Sequence, residues 1–196
     1  TLAGTILTYK LKNHDYALKY IEKGFDHAED DSLQSELQYL KGLCYYNKGQ
    51  ASEAIRAFES VGNGFYKKDS ALFLTGLLYA TQQQPAESLK YFTLLLDRNP
   101  DFSEARYYRA LSLQKLEEHV KAIDDLEYLI SIGFETAAAY YHKARSEIAR
   151  DRMDHACFDL KMAMRYQLEE ARSLYALYCV DSLSNEDRDR TGHISP

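Results

Sequence analysis

The sequence has few of the residues that break helices, and it has no tryptophan. Its 196 residues include three prolines and nine glycines, against seventeen tyrosines. So few helix breakers over this length favour a chain that is helical throughout. A run of 18 apolar residues is also missing, so the sequence predicts no helix that crosses a membrane.

An excess of positive charge is missing as well. The chain has 24 Lys and Arg residues against 30 Asp and Glu residues, which gives a net charge of −6. Binding to a phosphate backbone needs clustered Lys and Arg, and here they are scattered among acidic residues, so broad nucleic-acid binding is excluded. The sequence begins at Thr1 without the basic and long apolar regions of a signal peptide, and we expect it to be a piece of a longer protein.

Cysteine is scarce and shows no chemical pattern. Cys44, Cys157 and Cys179 are far apart, and no two of them form a Cys-x-x-Cys motif. Each lies within a helical pattern among small apolar neighbours, which predicts three buried thiols rather than a metal site or a disulfide. Thiols favour a reducing compartment such as the cytoplasm, although the sequence does not determine the compartment.

The sequence does contain an internal repeat with a constant period. The segment KGLCYYNKGQASEAIRAFESV at 41–61 returns at 75–95, at 109–129 and at 143–163, a period of 34 each time. In each copy a small residue is followed four positions later by a large apolar one, a spacing that puts both on one helix face. The small residues are Ala54, Ser88, Ala122 and Ala156, and the large ones are Phe58, Phe92, Leu126 and Leu160.

A second set of small residues lies twelve positions before the first. Small side chains at two places predict that two helices approach closely there, because bulky ones would separate the backbones. A short polar break lies between the two helical stretches of every copy, and Pro85 stands where a second helix would begin. Each copy is therefore a helix, a tight turn and a second helix. The second set comprises Gly42, Gly76, Ala110 and Ala144.

This pattern resembles the tetratricopeptide repeat family over roughly residues 5 to 180. The residues that carry the resemblance include Gly42, Tyr45, Ala54 and the unit-closing Pro100; the family's early tryptophan is absent. The resemblance implies an all-α, right-handed superhelical solenoid of antiparallel helix pairs, with about five repeats and a C-terminal capping helix. The expected domains are a degenerate or truncated repeat at 1–31, repeats at 35–68, 69–102, 103–136 and 137–170, a capping helix at 171–183, and a polar disordered tail at 184–196.

The resemblance also implies a concave groove lined by the first helix of each repeat. The residues at the groove positions are mostly aromatic or aliphatic and turn mixed near Arg145, which favours binding of a partner peptide or helix. The same tyrosines could instead pack between repeats, and the pattern leaves both interpretations open. The predicted peptide-binding residues are Tyr39, Leu43, Tyr46, Phe73, Leu77, Tyr107, Leu111, Gln114, Tyr141 and Arg145.

One known ligand type of the family is not expected. Members that hold the C-terminal carboxylate of a chaperone tail use Lys, Asn and Arg at five groove positions, because a carboxylate needs cations and amide donors. No Lys, Asn or Arg stands at those positions here, so the chain is not predicted to be a chaperone-tail carboxylate clamp. The residues there are Tyr39, Leu43, Leu74, Glu104 and Tyr108 in one register, and Phe73, Leu77, Tyr108, Ala138 and His142 in the next.

Motifs for catalysis are missing. The sequence has no phosphate-binding loop, no serine-hydrolase elbow and no zinc-protease motif, and His155 and Cys157 point in different directions on a helix. We therefore expect no enzyme activity, no cofactor and no metal. Two interpretations remain: a protein-binding module, or a structural segment, regulatory arm or homo-oligomerisation scaffold of a larger protein.

Overall fold

Residues 13–179 are described by the computed structural model, and this part of the chain consists of helices without strands. The chain forms two compact units, one ending at Ala105 and the other starting at Arg106, so the boundary lies within a helix. The N-terminal unit contains α1 (His14–Phe25), α2 (Asp31–Asn47), α3 (Ala51–Glu59), α4 (Lys68–Thr81) and α5 (Pro85–Arg98). The boundary helix is α6 (Ser103–Lys115), and the C-terminal unit continues with α7 (His119–Ser131), α8 (Thr136–Ala149), α9 (Met153–Arg165) and α10 (Glu170–Tyr178).

The turn inside each helix pair has the same backbone geometry in all four copies. Gly49, Gln83, Glu117 and Asp151 occupy the same position of successive repeats, and each has a positive φ, between 56° and 73°. Only the first is a glycine, although this region of φ costs other residues some strain. Because these turns are only a few residues long, the two helices of a pair run antiparallel and pack on each other. The repeat therefore preserves the shape of the turn where it does not preserve the residue.

The close approach of two helices at paired small and large residues is confirmed. A Cβ added to Gly42 would lie 2.5 Å from the ring of Phe58, and one added to Gly76 would lie 2.8 Å from the ring of Phe92. In the C-terminal unit Ala144 is fully buried, as is Leu160 of the adjacent helix. The constant period thus arises because each pair buries one large side chain against one small one.

Replacement of Ala122 by leucine is expected to lower the free energy of unfolding by about 2 kcal/mol, because overpacking forces a close-packed core apart. Ala122 is 0% exposed on α7. Urea unfolding of the variant measures the loss. Ala86→Leu is the matched control, since Ala86 is exposed on α5. An unfolding midpoint of Ala122→Leu equal to that of the wild type would contradict the close packing.

Two buried carboxylates lie at equivalent places in the C-terminal unit. Asp125 accepts two hydrogen bonds from the guanidinium of Arg109, at 2.8 and 2.7 Å. Asp159, at the same position of the next repeat, lies 3.5 Å from the Nζ of Lys143, which in turn occupies the position of Arg109. Both carboxylates are buried, at 4% and 1% exposure. The repeat therefore places the same acid–base pair between its two helices twice.

The prediction of three separate thiols is wrong for two of them. Cys157 of α9 and Cys179, which follows α10, form a disulfide with a Cα–Cα distance of 5.7 Å, while Cys44 is a buried thiol. The two cysteines come together because α10 folds back along α9, which brings residues 22 positions apart into contact. The argument for a reducing compartment no longer holds, because disulfides persist in oxidising ones.

The expected ends of the chain lie partly outside the described residues. The second helix of the predicted N-terminal repeat corresponds to α1, whose Ala17 and Ile21 are buried. The predicted capping helix at 171–183 corresponds to α10, Glu170–Tyr178. Residues 1–12, the end of the predicted capping helix at 180–183 and the predicted tail at 184–196 are outside the described range. None of the helices within 13–179 is long and apolar enough to span a membrane.

Candidate functional site

In the N-terminal unit two of the predicted groove residues are buried. Tyr39 is 7% exposed and Leu43 is 9% exposed. The ring of Tyr39 lies 5.9 Å from that of Phe58 and 6.0 Å from that of Phe65, both centroid to centroid. A ring at these distances packs as part of the core. Tyr39 and Leu43 are therefore part of the core of the N-terminal unit.

The other three predicted residues of this unit keep some exposed surface. Tyr46, at the end of α2, is 40% exposed. Phe73 and Leu77 on α4 are half-buried, and the Phe73 ring packs 5.2 Å from the ring of Phe102. Tyr46 on α2 and Phe73 and Leu77 on α4 therefore each keep some exposed apolar surface.

In the C-terminal unit the structure brings four of the predicted groove residues together around His142. The ring of Tyr107 lies 5.8 Å from the His142 ring, edge to face, and the ring of Tyr141 lies 5.4 Å from it. The guanidinium of Arg145 lies 6.0 Å from the ring centroid of Tyr141. We call Tyr107, Gln114, Tyr141, His142 and Arg145 the His142 cluster. Leu111 is half-buried on the same helix as Tyr107.

Gln114 fixes the arrangement of the cluster through hydrogen bonds between α6 and α8. Its Nε2 donates to the backbone O of His142 at 2.6 Å and to the Oγ of Ser146 at 2.7 Å. Its Oε1 lies 3.2 Å from the Nδ1 of His142. Because Oε1 can only accept, these contacts assign the proton to Nδ1 and leave Nε2 as an acceptor.

Burial keeps the cluster uncharged apart from Arg145. Burial lowers the pKa of His142 to about 4, and the positive charge of Arg145 adds to the effect. The pKa of the Tyr107 phenol is raised, first by burial and then by the charge of Glu135. At neutral pH the cluster therefore presents neutral aromatic rings next to one exposed cation, Arg145. Such a surface suits an apolar or aromatic side chain beside an acidic group.

The arrangement offers no metal site within residues 13–179, because no three His, Cys, Asp or Glu side chains come close enough to share an ion. His155 is exposed, and its Nε2 lies 3.0 Å from the guanidinium of Arg152. Its position beside a cation makes it a poor ligand for a second one.

Sequence reasoning missed the contacts that His142 makes. It considered this residue as the occupant of a clamp position and not as the centre of a cluster, because a single histidine within a repeat carries no pattern. The link to Gln114 spans 28 residues and depends on how α6 and α8 pack. The prediction of Gln114 as a groove residue was the sequence signal that pointed to this region.

Comparison with known proteins agrees with this architecture. Residues 36–63 and 70–101 match the family model described as tetratricopeptide repeat. No curated protein sequence resembles the chain closely enough to count as a match.

Solved structures of the same fold cover most of the chain. The crystal structure of MamA has a TM-score of 0.71 at 20% identity and covers 86% of this chain and 96% of its own. YrrB, described as a TPR protein with an unusual peptide-binding site, has a TM-score of 0.73 at 19% identity, covering 88% and 87%. The TPR2AB domain of yeast Sti1 in complex with pHSP90 has a TM-score of 0.52 at 20% identity, covering 86% and 80%. At these identities the likeness shows the fold, an all-α solenoid of helix pairs.

Proposed function

Because the chain is a tetratricopeptide repeat protein, we propose that it is a non-enzymatic module that binds a peptide or helix of a partner protein. The His142 cluster carries the proposal, since it joins half-buried aromatic rings, an exposed guanidinium and a fixed hydrogen-bond acceptor in one unit. Peptide-binding surfaces combine apolar contact area with a few oriented polar groups in this way. YrrB and the Sti1 domain, whose descriptions name a peptide-binding site and a bound partner, support the same class of function.

The hydrogen bonds of Gln114 make the cluster rigid before a partner arrives. Its Nε2 donates to the backbone O of His142 and to Ser146, and its Oε1 accepts from the Nδ1 of His142, so the ring of His142 is held in place. A surface that is already ordered loses less conformational entropy on binding, and that saving appears as affinity. The Nε2 of His142 would accept a hydrogen bond from a partner N–H, and Arg145 would attract an acidic side chain.

Five of the ten proposed binding residues lie in each unit, and the ten have two roles. Those with exposed surface would contact the partner, whereas Tyr39 and Leu43 would hold the surface from beneath. The partner is not expected to be a chaperone tail held by a carboxylate clamp, because the clamp positions offer no Lys, Asn or Arg. The contact residues are Tyr46, Phe73, Leu77, Tyr107, Leu111, Gln114, Tyr141 and Arg145.

A second candidate function is assembly with another copy or within a larger protein. Phe158 on α9 is 60% exposed and Leu177 on α10 is 69% exposed. Exposed large apolar side chains on neighbouring helices favour association. Light scattering distinguishes the two, because assembly predicts a mass above that of the 22.6 kDa chain.

Replacement of both Tyr107 and Leu111 by alanine is expected to weaken peptide binding at least tenfold, about 1.4 kcal/mol, because it removes apolar contact area beside His142. Peptides selected from a random library on the wild-type chain serve as ligands, and calorimetry gives their affinities. Far-UV circular dichroism checks that helicity is retained.

The matched control is the double variant Tyr66→Ala/Val120→Ala. These residues are 75% and 55% exposed and belong to no part of the proposed surface. It removes a tyrosine and an aliphatic residue as well, so its affinity should equal that of the wild type. If the Tyr107→Ala/Leu111→Ala variant bound the peptides as tightly as the wild type, the His142 cluster would not be the binding site.

A further inference from the structure

A cavity of about 360 Å³ lies between α3, α4 and α5 in the N-terminal unit. Its apolar wall is formed by Phe58, Leu72, Tyr91 and Leu94. None of the ten predicted groove residues lines it, so it is separate from the proposed peptide surface. Its size lies within the range of about 300–1,000 Å³ that is typical of small-ligand sites.

One wall of the cavity carries a buried lysine. Lys68, in the first turn of α4, is 7% exposed, and its Nζ donates a hydrogen bond to the backbone O of Val61. Within the described residues this carbonyl is the one acceptor for an ammonium group that has three N–H donors. Burial lowers the pKa of Lys68, the nearby charge of Arg98 lowers it further, and the charge of Glu59 opposes both effects only in part. A buried ammonium that is only partly compensated gains free energy when a further acceptor binds to it.

The other charged groups at the cavity already have partners or are open to water. The carboxylate of Glu59 accepts hydrogen bonds from the hydroxyls of Tyr91 and Tyr79. The Nε of Arg98 lies 2.9 Å from Asp69, and Asp97 is exposed. Lys68 is therefore the group on the wall that gains most from a ligand, and an anion would supply both an acceptor and the opposite charge.

We propose that this cavity binds a carboxylate attached to an apolar group, with the carboxylate on the Nζ of Lys68 and the apolar group against Phe58, Leu72 and Leu94. The carboxylate supplies the acceptors that Lys68 lacks, and the second cation, Arg98, adds attraction. Two sources share this chemistry: the carboxyl terminus of a protein that ends in an apolar residue, and a small apolar organic acid. A peptide that ends in leucine distinguishes the two sources.

The test uses two probes of equal shape, N-acetyl-L-leucine and its uncharged amide, titrated into the full chain and followed by NMR at the amide signals of Leu72 and Leu94. The acid is expected to bind at least about tenfold more tightly than the amide, since only the acid pairs with the ammonium. Lys68→Gln should remove this preference while keeping a donor for Val61. Leu94→Asn should weaken both probes alike, because Leu94 is a wall residue that is 43% exposed.

Lys121→Gln is the control, since it removes one exposed Lys charge in the other unit and should leave both affinities unchanged. A purely structural role of Lys68 would lower the affinities of acid and amide equally. Equal binding of the two probes to the wild type overturns the proposal, whether or not Lys68→Gln folds. So does an acid preference that survives in a folded Lys68→Gln variant.

A third probe, a hexapeptide of five glycines and a C-terminal leucine, identifies the source of the carboxylate. Binding about tenfold tighter than N-acetyl-L-leucine assigns the cavity to a protein carboxyl terminus, because the added backbone then makes contacts of its own. Equal binding assigns it to a small organic acid. Either assignment holds only if the wild type binds N-acetyl-L-leucine more tightly than its amide.

Discussion

Replacement of Cys157 and Cys179 by serine is expected to lower the free energy of unfolding by about 3 kcal/mol, from the loop entropy of a disulfide of this span. The disulfide closes a loop of 22 residues between α9 and the end of α10. It also holds a helix that has little independent stability, because α10 has only nine residues, and helices shorter than about 12 residues are marginal alone. Loss of the link should therefore loosen α10 before the rest of the unit.

Urea unfolding with and without a reductant measures the effect. The reductant should destabilise the wild type to the level of the double serine variant, and the variant itself should not respond to it. Hydrogen exchange should show faster exchange in α10, whose Ala171 packs in the same core cluster as Leu160 and Ala163. A wild type whose unfolding is insensitive to full reduction would contradict a stabilising disulfide.

The disulfide shows which features a repeating sequence can predict. The helix pairs and their small-to-large contacts follow from the period, because each contact involves residues of a single repeat. The pairing of Cys157 with Cys179 depends on the register of α10 along α9, and the sequence carries no information on that register since α10 repeats nothing. The helical pattern near residue 171 thus indicates a helix but not the disulfide that holds it against α9.

The same limit applies to the groove. Tyr39 and Tyr107 occupy the same position of two repeats, yet Tyr39 is buried and Tyr107 is only half-buried. The difference arises because Phe65, from the segment between α3 and α4, packs its ring against Tyr39. The position in the repeat predicts that a side chain lies on a given face of the first helix, and the neighbouring segments decide how much of it stays exposed.

The buried pairs Arg109–Asp125 and Lys143–Asp159 could have been found from the sequence. In both repeats the base precedes the acid by the same interval, and the acid falls on the apolar face of its helix, where an unpaired charge is costly. The two pairs differ in geometry, however, because a guanidinium can donate two parallel hydrogen bonds to a carboxylate and an ammonium cannot. Asp159 therefore receives weaker hydrogen bonding from Lys143, at 3.5 Å, than Asp125 receives from Arg109, at 2.8 and 2.7 Å.

The chain is expected to lose about 2 kcal/mol of stability through Asp159 as the pH rises from 4 to 7. Asp159 is 1% exposed, and within the described part of the chain its carboxylate has only a long contact with a cation, 3.5 Å from the Nζ of Lys143. Burial raises its pKa to about 6 against an ordinary 3.8; Lys143 opposes this shift, and Glu147 and Glu127 add to it.

The direction in which stability changes with pH follows from the number of protons that the folded and the unfolded chain bind. Between pH 4 and pH 6 the folded chain keeps a proton on Asp159 that the unfolded chain has released, because only the folded pKa is raised. Rising pH then favours the unfolded state, and the stability present below pH 4 is lost as the pH passes the folded pKa of about 6. Acidification from pH 7 to pH 5 should therefore increase the contribution of Asp159 to the free energy of unfolding.

Urea unfolding of the wild type and of Asp159→Asn at pH 4, 5, 6 and 7 isolates the effect, because the difference between the two removes the titration of other carboxylates. Asparagine keeps the shape of the side chain without its charge, so its advantage over aspartate should be small at pH 4 and grow to about 2 kcal/mol by pH 7. Asp154→Asn, on an exposed position of the same helix, should show no such growth with pH.

Lys143→Met should steepen the dependence of stability on pH in a chain that retains Asp159, since it removes the positive charge that opposes the rise in the pKa of Asp159. A constant difference between wild type and Asp159→Asn across this range would mean that Asp159 is ionised in the folded chain throughout, with Lys143 fully compensating its burial.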